Sequence, residues 1–273
     1  MTERAKFVRI EDLERPLHRI IPIWRFEELL RLRRLTLVKP RMWIDPREDL
    51  CSNFALEPMI GAGFEKPMRQ LSDYLSECWG QCWSYEADSD VLLRAYSRVV
   101  LDPIAKRNST PAEEGVRITT TARRMLEAMT EWASEFHDDH FYLAGVAYEP
   151  EETFGQHLAG RLVKAGPRYF GSPDGRAESL CVKRSRFSHE HEVRLLCVGK
   201  EKLGTGPDIR HFSADPSKLL IEIAFDPRLI SFERIEREQW FRMKGYSGPI
   251  KEDASYVDVL TAIQMPSEWD DPE

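Results

Sequence analysis

The sequence lacks any window approaching the eighteen or so consecutive apolar residues that a membrane span needs. Its opening, MTERAKFVRIEDLERP, is charged from the third residue and lacks the apolar segment of a secretory leader. Both absences point to a soluble, cytoplasmic protein. Positive charge is short as well. Lys and Arg total 39 against 46 Asp and Glu, a net charge of −7. The chain as a whole therefore lacks the cationic coat that displaces phosphate counterions along nucleic acid, and any such contact must use a local basic patch. There is no CxxC pair. The five cysteines, Cys51, Cys78, Cys82, Cys181 and Cys197, are irregularly spaced, which argues against a disulfide framework or a structural zinc site and for reduced, buried thiols. Internal repeats, heptad runs, low-complexity segments and a Gly-rich turn after the first strand are also missing.

What is present is enough for a folded chain: 273 residues, 42% of them hydrophobic. They are read as a single domain over 1–273, with an acidic tail at 264–273. Leu17–Ile23 and Leu35–Val38 read as strands flanking a helix over Trp24–Arg34, where Phe26, Leu29, Leu30 and Leu32 have helical spacing. Residues 45 to 65 read as a loop or broken helix, Pro67–Glu77 as a helix and Trp79–Ser84 as a half-buried strand. Ser89 caps a helix running to Lys106. Gly115–Thr119 is a strand, Thr121–Phe136 a helix, Phe141–Tyr148 a central strand and Pro150–Lys164 a helix. Gly166–Arg176, rich in Gly, Pro and Arg, reads as a mobile loop or lid. Val193–Val198 and Leu219–Phe225 are buried strands, Phe232–Met243 is a helix, and Tyr256–Ile263 closes the fold. The tryptophans at 24, 43, 79, 83, 132 and 240 fall on apolar faces and are expected in the core. The class is α+β, with a central mixed, mainly antiparallel sheet and packed helices.

Four segments in order carry a resemblance. They are Leu17-His18-Arg19-Ile20; Leu37-Val38-Lys39-Pro40 with Ile44-Asp45-Pro46-Arg47-Glu48; Cys82-Trp83-Ser84 with LLRAY at Leu92–Tyr96 and Gly115-Val116-Arg117-Ile118; and Lys183 with Phe187–Leu195 (FSHEHEVRL). Across 17–200 this order resembles the bacterial domain-of-unknown-function family 2971. The departures are Ile44 where the family has Asn before Asp-Pro, and LLRAY where it has a Trp. The same residues more distantly resemble ADP-ribosyltransferases, which place an Arg or His on a first strand, a Ser or Tyr on a second and a Glu later, often as Glu-x-Glu. That resemblance implies NAD as substrate, with His18, Arg19, Ser84 and Tyr85 holding it and Glu192 and Glu190 catalytic.

The residue types suit that chemistry. An Arg fork holds a pyrophosphate through charge-assisted hydrogen bonds. A carboxylate beside the ribose stabilises the positive charge that develops as the glycosidic bond breaks. On a strand, Glu190 and Glu192 would share a face. Lys183, Arg186 and Arg194, interleaved with aromatics, suit a phosphate-bearing ligand such as a nucleotide or a nucleic-acid end.

Two other classes use the same stretch. A metal-dependent nuclease would draw on Asp45, Glu48 and Asp49 with Lys183 and Glu192. A non-enzymatic nucleotide or protein binding module would use the cleft alone. His189 and His191 with His137, Asp138, Asp139 and His140 offer ligand types for a metal, but no metal is firmly implied, since three or four must converge. The oligomeric state and the acceptor are not written in the sequence.

Overall fold

The structure, a computed structural model, describes residues 3–57, 68–253 and 256. The chain first forms β1 (Ala5–Val8), β2 (Pro16–Pro22), α1 (Ile23–Leu32) and β3 (Arg34–Val38). After a kinked 3-10 segment, Pro46–Asn53, come the short β4 (Ala55–Leu56) and β5 (Arg69–Gln70), then β6 (Ser76–Ser84), α2 (Asp90–Tyr96), β7 (Gly115–Thr121) and α3 (Ala122–Glu135). Next are β8 (His140–Gly145), β9 (Ala147–Glu149), α4 (Gln156–Ala165), α5 (Pro167–Gly171), α6 (Pro173–Ser179) and β10 (Val182–Arg184). The chain continues through β11 (Glu192–Lys202), β12 (Ile209–Ser213), α7 (Pro216–Leu219), β13 (Glu222–Phe225), α8 (Ser231–Met243) and β14 (Ile250–Lys251).

The main sheet runs β1-β8-β11-β6-β2-β7-β13-β14, and β3 joins β6 to β12. Within it only β1/β8 and β13/β14 are parallel. The α+β class with a mixed, mainly antiparallel sheet is therefore as expected. No described helix is long and apolar enough to cross a membrane.

Local chemistry explains the frame. Thr121 ends β7 and caps α3, its hydroxyl accepting from the Arg124 amide. From there Met125, Met129, Trp132 and Ala133 recur on one buried face of α3. Trp132, Phe141 and Phe212 interlock on that side of the sheet. Strand alternation gives the sheet two unlike faces. Trp79, Trp83, Val193 and Leu195 face α3, while Cys78, Leu196 and Val198 face the other way, toward Leu180 and Cys181.

Several element boundaries move. Strand β1 was not anticipated, and it places β8 one strand in from the sheet edge. The strand read over Phe141–Tyr148 breaks at Val146, whose amide bonds to the Glu192 carbonyl. Ser89 does cap α2, but the helix stops at Tyr96. There the buried Ser97 turns extended and donates to Asp226 (2.5 Å). The stretch read as helix before Glu77 is β5, a 3-10 turn over Leu71–Tyr74 and the start of β6. Strand β6 itself is buried along most of its length. Helix α4 begins at Gln156 and β13 at Glu222, later than the pattern suggests.

The expected lid is instead α5 and α6. Pro167 and Pro173 sit in the first turns, and Ser172 caps α6. Gly175 is required for packing, since a Cβ there would lie 2.0 Å from the Tyr169 carbonyl oxygen. Arg176 is fully buried and forks onto Asp49 at 2.6 Å through two nitrogens. These helices close the second face of the sheet. Past Tyr256, the segment Tyr256–Ile263 expected to close the fold and the acidic tail lie outside the described residues.

Candidate functional site

The site lies where the sheet splits. Strand β6 pairs with β2 at His18–Ser84 and with β3 at Val38–Gly80. Between those two contacts, among the described residues, Gln81 to Trp83 have no strand partner on that side. Side chains fill part of the gap. Arg19 donates to the Cys82 carbonyl (2.7 Å), and Gln81 donates to the Thr36 carbonyl (2.9 Å). A cavity of about 390 Å³ opens there. Gly80 lets its wall close, since a Cβ would come within 2.8 Å of both the Trp43 ring and Leu196.

Register brings the residues together. Ser84 lies directly between His18 on β2 and Glu192 on β11. These three form one lateral row across adjacent strands and point to one face. His18, Arg19, Ser84, Lys183, Glu190 and Glu192 all line the cavity. Arg19 meets no carboxylate at ion-pairing distance among the described residues. Burial lowers its pKa from the usual arginine value.

Beneath the row is a layer of buried charge. Glu192 accepts from Arg194 Nε (2.8 Å) and Lys183 Nζ (3.0 Å). Lys183 also donates to Glu190 (2.6 Å) and lies 3.2 Å from Glu48 Oε1. Arg194 reaches Glu48 Oε2 at 2.8 Å. Burial pushes the Glu192 carboxyl up, but Arg194 and Lys183 outweigh it and hold it at about 2. For Glu48 burial wins over the same two cations, and its pKa rises. Burial opposes the charge on Lys183, yet Glu192, Glu48 and Glu190 raise its pKa. Burial, with Arg117 adding, lowers His18 to about 4, so its imidazole is neutral near pH 7. Burial also raises the Cys82 thiol well above its ordinary value, with the Glu192 charge adding.

Other sequence-selected residues have different placements. The Ser84 hydroxyl serves the backbone, donating to the Glu190 carbonyl (2.5 Å) and accepting from the Glu86 amide (2.9 Å). Tyr85 lies off the cavity against the main core, with the Arg15 guanidinium 3.9 Å over its ring. Arg194 is fully buried under the floor. Arg186 is exposed and pairs with Glu151 (2.5 Å).

The HEHE segment is not a strand. Ser185–Glu190 is a 3-10 turn, and His191 is left-handed at φ 39° before β11 begins. Glu190 and Glu192 therefore meet through Lys183 and not through strand alternation. The two histidines part: His191 bonds Glu86, and His189 lies against the Arg186 carbonyl. Asp138 pairs with Lys200 and Asp139 with Arg210, so the proposed histidine–aspartate ligands do not converge. Among the described residues, Glu48, Cys82 and Glu192 do bring ligand-type atoms within 4.8 Å of one another. The Lys183 ammonium already bonds two of that group.

Among the lining residues to which sequence reasoning gave no role are three aromatics. Trp24 is half exposed at the cavity with Arg25 over its ring, and Trp43 stacks on Arg194 at 4.6 Å. Both were expected in the core. Trp240, also expected there, is 40% exposed. Tyr96, the third, lines the cavity from the end of α2.

No protein-family model matches the chain, so the resemblance to family 2971 gains no support from that comparison. No curated protein matches either. Among solved structures the chain is similar to DarT from Thermus sp. 2.9 in two complexes. With ADP-ribosylated ssDNA the TM-score is 0.36 at 12% identity, covering 90% of this chain and 97% of that one. With carba-NAD+ it is 0.35 at 13% identity, covering 89% and 97%.

Proposed function

We propose that the cavity binds a pyrophosphate-bearing nucleotide of the NAD type, cleaves its N-glycosidic bond and passes the ADP-ribosyl group to an acceptor. The observation that carries this reading is the meeting of Arg19, Ser84, Glu190 and Glu192 on one cavity. Arg19 is, among the described residues lining the cavity, a cation with no carboxylate at ion-pairing distance, and its fork suits a pyrophosphate. Ser84 fixes the Glu190 backbone, and His18, neutral, lines the wall beside it. Glu192 stays ionised at neutral pH. A fixed negative charge in a site shielded from water favours the oxocarbenium character that grows on the ribose as the leaving nitrogen takes the bonding electrons. Glu190, the more open carboxylate, contacts the ribose or the acceptor. Lys183 links the carboxylates.

The test is nicotinamide release from NAD. Glu192→Gln is expected to lower turnover by about 100-fold or more while NAD binding persists. Arg19→Ala is expected to weaken NAD binding itself. Binding without turnover in the wild type would leave a nucleotide-binding module.

A nuclease is the second reading, because Glu48, Glu192 and Lys183 do converge. It predicts cleavage of nucleic acid that stops on removing divalent cations. The position of Lys183 between the carboxylates favours the first reading, since the ammonium already compensates the charge a metal would bind.

A further inference from the structure

Passing a ribosyl group to water or to a hydroxyl leaves one proton to be placed. The C1′–N bond breaks and its electrons neutralise the nicotinamide ring nitrogen. A C1′–O bond forms, and the oxygen must then lose its proton to a base. Several groups at the cavity cannot take it. Glu192 is held ionised by Arg194 and Lys183. Lys183 is a held cation, and the Cys82 thiol keeps its own proton. The His18 imidazole is weakly basic and its Nδ1 lies 3.1 Å from the Thr119 hydroxyl. Glu48 differs from all of these. It lines the cavity from the Pro46–Asn53 segment, apart from the strands that carry the row. It shares both cations with Glu192, and its carboxylate lies within 4.8 Å of the Glu192 and Cys82 ligand-type atoms.

We infer that Glu48 is the base that accepts the proton of the incoming nucleophile, while Glu192 serves as the fixed charge. This deepens the reading above and rests on it. Neighbouring carboxylates whose surroundings drive their proton affinities apart divide such labour in general. Here burial raises Glu48, and cations hold Glu192 down. The charged groups that act on Glu48 include Lys183 from β10 and Arg194 and Glu192 from β11. Its chain neighbour Asp49 is taken by Arg176 of α6.

The experiment compares two nucleophiles with NAD between pH 5 and 9. Water must shed a proton after attack, and azide has none to shed. In Glu48→Gln the water reaction should fall about 100-fold at neutral pH and lose its rise with pH. The azide reaction and the thermal shift given by NAD should be largely retained. Glu48→Asp, which keeps the carboxylate, should restore part of the water reaction, and it serves as the reading if Glu48→Gln fails to fold. Equal loss with both nucleophiles would make Glu48 structural and overturn the assignment. So would the selective pattern appearing in Glu190→Gln instead, or full water activity in Glu48→Gln. A wild-type protein inert toward NAD would withdraw the functional reading first, and the assignment with it.

Discussion

On the α3 side of the sheet, Trp132, Phe141 and Phe212 pack in tilted and edge-to-face contacts at centroid distances of 5.1 to 5.6 Å, and the neighbouring strand positions are aliphatic or aromatic. On the opposite side, at the same depth, lie Arg194, Arg176, Glu192, Lys183 and Glu48. The first face gains stability from removing apolar area from water. The second must overcome the desolvation of every charge, and well-packed apolar residues of similar volume would often hold a sheet as well or better. A buried ion layer open to a cavity on one side is therefore a poorer source of stability than the apolar face.

The sharpest test of that contrast removes one side chain from each face. Trp132→Ala and Arg194→Ala should each cost about 3–5 kcal/mol in denaturant unfolding, by unlike mechanisms. The tryptophan leaves a cavity. The arginine leaves Glu192 and Glu48 short of a counter-charge, so acid, by protonating them, should recover part of its loss relative to wild type. Matching pH responses in the two variants would remove the distinction between the faces.

A smaller effect should appear in acid. Glu192 is held at about 2, below its ordinary 4.5. A carboxyl with a depressed folded-state value contributes stability above the unfolded value, and that stability is lost as pH falls through the folded one. The stability gap between wild type and Glu192→Gln should accordingly be full above about pH 4.5 and shrink toward pH 2. A gap constant over that window would show that the two cations do not hold the carboxylate.

The two faces were not equally legible in the sequence. The apolar side was, because periodicity is a local signal: the α3 stripe through Met125, Met129 and Trp132 and the VRLLCV run of β11 lie where the pattern puts them. The order of Arg19, Ser84 and Glu192 along the chain was visible too. What each charge does was not, because a cation's role depends on which acid folding brings to it. Arg194 sits beneath the cavity and not in it because Glu48, from far along the chain, reaches it. The left-handed turn at His191 carries no Gly or Asn to announce it, so HEHE read as strand. Gly166–Arg176 misled for the opposite reason, since proline and serine mark helix starts as well as loops.

The least effect is expected where the charged layer meets solvent. Glu190 is 19% exposed, and its bond to Lys183 is short, but Lys183 keeps Glu192 and Glu48 when Glu190 is neutralised. The ammonium stays compensated, so Glu190→Gln should change stability by no more than about 1 kcal/mol. Glu192→Gln, by contrast, deprives both Arg194 and Lys183 of a fully buried partner and should cost more. That difference separates a fixed floor from an adjustable lip: the carboxylate that can leave Lys183 cheaply is the one free to turn toward a ligand. Equal destabilisation by the two substitutions would place Glu190 in the floor as well.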